Sequence, residues 1–161
     1  MTIPSYFIRY EDVRSLTLGS FASTLQSTEK KEVGNVTIRE LCTTFEYPIG
    51  LYFYFDEDQN LKYVGKSSSR SFVERIPSHF DPRLEGWFNT LPKKLMQHDG
   101  FVEYAAAHSR SLEMKLILLG IKSRPTVNTL EGMLRSYLQP TLNAGTKGRY
   151  SSTTLLSHSE A

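Results

Sequence analysis

The stretch Ile49-Gly50-Leu51-Tyr52-Phe53-Tyr54-Phe55-Asp56-Glu57-Asp58-Gln59-Asn60-Leu61-Lys62-Tyr63-Val64-Gly65 reads as a β-hairpin. Its opening run is aromatic and aliphatic apart from one glycine, the residue types that suit a pleated, buried surface. Five polar residues interrupt it, and a second short run closes the pattern. Two such runs joined by a polar turn bring Tyr52, Tyr54 and Tyr63 to neighbouring positions on one sheet.

Beyond Gly65 the chain reads Lys66-Ser67-Ser68-Ser69-Arg70, a serine-rich approach to a helix carrying Phe72, Val73 and Ile76. Pro77 divides the reading. A helix that starts near Arg70 contains the ring and is kinked by it, whereas one that starts near Ile76 tolerates it in the first turn. Over residues 84–98, Leu84, Trp87, Phe88, Leu91 and Leu95 recur at spacings of three and four, a helical pattern limited by Pro92. Residues 114–121 suit a buried strand or a short helix. The shortness of the run, and the turn-like Lys122-Ser123-Arg124-Pro125 after it, favour a third strand. Further on, Asn128-Thr129-Leu130-Glu131 resembles a capping box. Leu130, Met133, Leu134, Tyr137 and Leu138 follow at helical spacing, and Pro140 ends the helix.

Upstream, residues 1–47 read as an N-terminal extension packed on this core. They carry Tyr6, Phe7, Ile8 and Tyr10, a solvated polar stretch over 26–34, and a run over 36–41 that periodicity leaves open between strand and helix. Residues 146–161, rich in serine, read as a flexible C-terminal tail. The central domain spans 48–145.

With 161 residues, 39% of them hydrophobic and 22% charged, the chain suits a single folded domain with one active site and is unlike a disordered segment. A net charge of +2 is too small to announce a nucleic-acid partner by composition, so any basic patch must be local. The single cysteine, Cys42, forms no intramolecular disulfide. It also falls short of a thiolate zinc site. His98, His108 and His158 show no metal-ligand spacing. The start of the chain lacks a secretory pattern and no apolar run reaches bilayer length. The expectation is therefore a cytoplasmic protein with no membrane partner.

Two triplets of the hairpin resemble the motifs that name the GIY-YIG endonuclease superfamily. Gly50-Leu51-Tyr52 stands where G-I-Y is expected, and Tyr63-Val64-Gly65 where Y-I-G is expected. Triplets this short arise often by chance, and the resemblance gains its force from order. Lys66 follows the second triplet, then come Arg75 and His79, and later Glu131, Pro140 and Asn143. The family carries a lysine after its second motif, an arginine and a histidine or tyrosine on the first helix, a glutamate on a later helix, and a proline shortly before an asparagine. The likeness covers residues 48–145 and implies an α+β fold, a small three-stranded antiparallel sheet flanked by helices.

Phosphodiester hydrolysis needs an in-line nucleophile, neutralisation of the phosphoryl oxygens and relief of the leaving oxygen. The resemblance implies Glu131 as the ligand of a hard cation, Mg²⁺ with Mn²⁺ as a substitute. Such a cation accepts one carboxylate together with waters and phosphate oxygens. Arg75 supplies a permanent positive fork for a phosphate oxygen, and His79, four residues on, shares its helical face if Pro77 leaves the turn intact. By the same resemblance Tyr52 deprotonates or orients the attacking water, and Tyr63 positions it or the phosphate. A phenol near pKa ~10 is a poor base at neutral pH without a nearby cation, a part assigned to Lys66. Asn143 fixes a loop or a phosphate, or serves as a plain turn residue.

The activity implied is a DNA endonuclease that leaves 5′-phosphate and 3′-hydroxyl ends. A homodimer would allow both strands to be cut. Arg39, Lys62, Arg70, Arg83, Lys93, Lys94, Lys147 and Arg149 are candidates for contacts to the DNA backbone. The competing expectation is a nucleic-acid-binding module that keeps the fold without turnover.

Overall fold

The computed structural model describes residues 3–43, 46–80, 82–83, 90–143 and 154–155. In chain order the elements are β1 (Phe7–Arg9), α1 (Tyr10–Val13), α2 (Leu18–Ser27), β2 (Lys31–Glu32), a 3-10 turn (Val33–Asn35) and α3 (Ile38–Cys42). Then come β3 (Ile49–Phe55), β4 (Leu61–Ser67), α4 (Phe72–Ser78), α5 (Thr90–Asp99), α6 (Tyr104–Glu113), β5 (Lys115–Ile121) and α7 (Arg124–Leu138). The fold is α+β.

The hairpin forms as read. β3 and β4 pair antiparallel, with Tyr52 opposite Gly65 and Tyr54 opposite Tyr63. Asp56 shapes the turn, its Oδ1 accepting from the backbone N–H groups of Asp58 and Asn60, both at 2.9 Å. The expected third strand is β5, antiparallel to β3 along its whole length.

The sheet is larger than the three-stranded antiparallel one expected. β1 pairs in parallel with β5 and β2 pairs with it antiparallel, giving a mixed five-stranded sheet of order β1-β5-β3-β4 among the described residues. Strands of three and two residues carry no readable period. They occupy the edge of β5 that β3 leaves open, where a row of N–H and C=O groups would otherwise stand unpaired. The segment read as an extension thus contributes to the sheet itself.

Both faces are covered, which is why β3 is apolar throughout rather than alternating. Leu51, Phe53 and Phe55 pack with Phe21 and Leu25 of α2 and Val127, Leu130 and Leu134 of α7. Tyr52, Tyr54 and Tyr63 face the opposite layer with Phe72 and Ile76 of α4 and Leu91 and Leu95 of α5.

Three helix boundaries differ from, or decide between, the readings above. The run over 36–41 is helical, because Thr37 and Glu40 form a reciprocal capping box. α4 begins after Ser71 and holds Pro77 in its last turn, ending one residue later. α7 begins four residues before Asn128: Ser123 is its cap, accepting from the Thr126 N–H, and Pro125 sits in the first turn. Asn128 therefore lies inside the helix rather than at its cap. Its left-handed end at Gln139 precedes Pro140, the breaker expected. Of the helical pattern over 84–98, α5 accounts for the part from Thr90. Leu84, Trp87 and Phe88 lie outside the described residues.

Within the span read as a tail, Thr154 bridges to Thr17. Leu155 is fully buried, and its carbonyl accepts from the Tyr10 hydroxyl at 3.0 Å. Lys147, Arg149 and His158 lie outside the described residues. Among the described residues no helix is long and apolar enough to cross a membrane.

Candidate active site

The two motif glycines have steric reasons. Gly50 adopts a φ of +152°, and a Cβ there would strike the Leu119 carbonyl oxygen on the neighbouring strand. At Gly65 a Cβ would collide with Cε2, Cζ and the hydroxyl oxygen of Tyr52. The missing side chain lets the Tyr52 ring lie across β4, the edge strand, where ring and hydroxyl are fully buried beside the equally buried His79.

Arg75 and His79 meet that hydroxyl. Arg75 Nε donates to the Tyr52 oxygen at 3.3 Å, and His79 Nε2 lies 2.7 Å from it. Pro77 does not separate the two. After the proline the turn tightens, with the His79 N–H bonding Ile76 O at 3.2 Å and the Phe80 N–H bonding Pro77 O at 3.0 Å. Both side chains are thereby brought to one atom. The direction of this hydrogen bond depends on the imidazole tautomer: with the phenol as donor, Nε2 accepts and the imidazole proton sits on Nδ1. That Nδ1 is buried with no partner among the described residues.

Tyr63 completes an aromatic cluster, its ring centroid 6.3 Å from that of Tyr52 and 6.0 Å from that of His79. Glu131 comes from α7, which lies on the other face of the sheet but packs against the β4 edge. Its charge is felt at both Tyr52 and Tyr63. Four side chains read from the sequence, Tyr52, Tyr63, Arg75 and His79, are therefore gathered together, and Glu131 acts on them at longer range from α7.

Two others stand beside this group. Lys66 projects from β4 to the α7 side, where its Nζ donates to Asn128 Oδ1 at 3.1 Å. Asn143 clamps the strand: its Oδ1 accepts from Val64 N–H at 2.7 Å and its Nδ2 donates to Val64 O at 3.0 Å. Its work is on the backbone of the second motif.

Two cations were missed by the sequence reading or named there only as generic phosphate contacts. Arg135, one turn beyond Glu131, bonds its Oε1 at 3.1 Å and also acts on Tyr63. Lys94 of α5 holds its Nζ 5.9 Å from the centre of the Tyr63 ring. A Glu-x-x-x-Arg spacing on a helix is too common to signal a site, and the approach of Lys94 to Tyr63 depends on tertiary packing.

Burial governs the protonation states. It raises Tyr52 far above the ordinary phenol range, helped by Tyr63 and opposed by Arg75. It raises Tyr63 as well, with Arg75 and Arg135 pulling the other way. His79 is pushed down to about 3, by burial first and Arg75 second. At neutral pH the cluster is a pair of neutral phenols on a neutral imidazole.

A concavity of about 500 Å³ lies elsewhere, at the hairpin end of the sheet, lined by Asp56, Glu57, Asp58, Asp99 and Glu113 among others. Its charges are largely paired within the chain, Lys62 with Asp99 and Arg110 with Glu57 and Glu113. Its lining carries six carboxylates against Lys62, Arg110 and Lys115, and none of the candidate catalytic residues lines it. Lys62, a candidate DNA contact, belongs to it.

The donor set suits a hard cation rather than zinc. Among the described residues no three His, Cys, Asp or Glu side chains gather at one point. Glu131 is the carboxylate that could hold such a cation, by the oxygen that Arg135 does not bond.

Compared with protein-family models, curated proteins and solved structures, the chain matches none.

Proposed function

We propose that the protein is a divalent-metal-dependent DNA endonuclease of the GIY-YIG type, hydrolysing phosphodiesters to 5′-phosphate and 3′-hydroxyl ends. The observation that carries this reading is the meeting of Arg75 and His79 on the Tyr52 hydroxyl, beside Tyr63 and within electrostatic reach of Glu131. Support also comes from the ordered motif succession and from the glycine that admits the Tyr52 ring.

The chain's own groups have separable tasks. Arg75 neutralises a phosphoryl oxygen, and Tyr52 orients the attacking water and accepts its proton as its own passes to His79. In the resting protein that transfer is uphill, because the phenol is raised and the imidazole lowered. A phosphate anion beside His79 favours the imidazolium and offsets Arg75, so substrate binding moves the equilibrium toward reaction. A cation held by Glu131, Mg²⁺ or Mn²⁺, supplies positive charge at the phosphoryl and leaving oxygens. DNA is the partner on this reading, with cytoplasmic location and a homodimer as its further elements.

The test is nicking of supercoiled plasmid with Mg²⁺ by the wild type, Glu131→Ala and Arg75→Ala. Wild-type nicking that both variants lose is expected. Glu131→Ala should spare DNA affinity in a gel shift, because its contribution is to the transition state. Undiminished nicking by both variants would remove the site from consideration.

A further inference from the structure

Arg135 lies outside the motif succession, yet its charge is felt at Tyr63. An exposed ion pair four residues apart on a helix contributes only ~0.3–0.5 kcal/mol and touches nothing beyond its own helix. The Glu131–Arg135 pair differs on both counts. The Glu131 side chain is only 15% exposed and that of Arg135 33%, so the 3.1 Å contact sits in a partly dry crease against β4. Arg135 also acts across that crease on Tyr63. A carboxylate in such a crease takes its orientation from whatever binds it, and Nη1 engages one oxygen, Oε1.

We propose that Arg135 is a positioning residue of the nuclease site, an inference that rests on the nuclease reading: its guanidinium holds the Glu131 carboxylate by Oε1, turned to the cation it would bind, and its positive charge is felt at Tyr63. The two guanidiniums then divide the phenols, Arg75 bonding Tyr52 from α4 and Arg135 acting on Tyr63 from α7. Tyr63 is faced by Arg75, by Lys94 of α5 and by Glu131 and Arg135, and its ring packs on Tyr52, Tyr54 and His79. Of these groups the test alters only Arg135.

Full-length wild type, Arg135→Met and Arg135→Lys are compared in Mg²⁺-dependent plasmid nicking. In parallel, ¹³C-labelled tyrosine is titrated by NMR, with Tyr63→Phe to assign the resonance. Methionine keeps much of the apolar stem and a high helix propensity, and a thermal melt checks that each variant folds. Arg135→Met should lower kcat by about 10–100-fold with KM for plasmid little changed, as the loss of a partner that orients a metal-binding side chain does. It should also make Tyr63 titrate at higher pH. Arg135→Lys should recover part of kcat and the wild-type Tyr63 titration, because it keeps the charge but loses the planar fork. Should Arg135→Met lose its cooperative melt, the lysine variant still decides: a Tyr63 titration moved as far from wild type as removal of charge would move it overturns the inference. Wild-type nicking undiminished in Arg135→Met, or a lysine variant no better than the methionine one with Tyr63 unmoved, overturns the role of Arg135 and leaves the nuclease reading standing. A wild type that nicks no substrate overturns both.

Discussion

Replacing Gly65 by alanine tests the geometry at its tightest point. The added Cβ would fall within the Tyr52 ring, far inside contact distance of Cε2 and Cζ. Tyr52 is fully buried between Tyr54, Tyr63 and His79, so it has no free rotamer to take up. Overpacking of this kind costs ~1–3 kcal/mol. If the ring moves, its hydroxyl leaves Arg75 and His79, and each lost hydrogen bond adds ~0.5–1.5 kcal/mol. The sum is ~2–6 kcal/mol, measurable by urea unfolding. A double-mutant cycle isolates the clash: in a Tyr52→Ala background there is no ring to strike, and Gly65→Ala should be nearly neutral. The coupling should reach ~2 kcal/mol or more, within the range for residues in direct contact. Equal costs in the two backgrounds would refute the claim that this glycine exists to admit the tyrosine.

His79 gives a pH signature. Its folded pKa of about 3 lies below the ordinary 6.5, so the unfolded chain binds the extra proton between those values and stability falls as pH drops through the window, by up to ~1.4 kcal/mol per pH unit. Unfolding of the wild type and His79→Gln at pH 7, 5.5 and 4 should show a shallower acid loss in the variant; parallel losses would contradict it. Asn143→Ala leaves both polar groups of Val64 without the side-chain amide and should cost ~1–3 kcal/mol by urea unfolding, with faster amide exchange at Val64; unchanged exchange would count against the clamp. Lys94→Ala should reduce the slope of log affinity for duplex DNA against log salt by about 0.9 if Lys94 meets one phosphate. An unchanged slope would take it off the DNA path.

Legibility followed range along the chain. The hairpin, β5 and most of α7 announce themselves through residue type and period, because each is long enough to repeat its pattern. The start of α7 was misread because two cap-like tetrads lie close together, and Ser123 with Pro125 outcompetes Asn128. β1 and β2 were invisible because their stability comes from the vacant edge of β5, a neighbour more than eighty residues away. At the site, the resemblance named Tyr52, Tyr63, Arg75 and His79, which the fold brings together, and Glu131, which acts on the phenols from α7. It also named Lys66, which strand alternation sends to the α7 side. Arg135 and Lys94 owe their places to packing between helices and β4, which spacing does not encode.

The Asn143 clamp also bears on assembly. β4 is the sheet's outer strand on that side, yet Lys62 O accepts from the Leu142 N–H at 2.8 Å and both polar groups of Val64 are held by Asn143. The chain has laid a two-residue stopper along its own border. A second copy that tried to prolong the sheet there would have to displace three hydrogen bonds first, so this border resists strand-to-strand association.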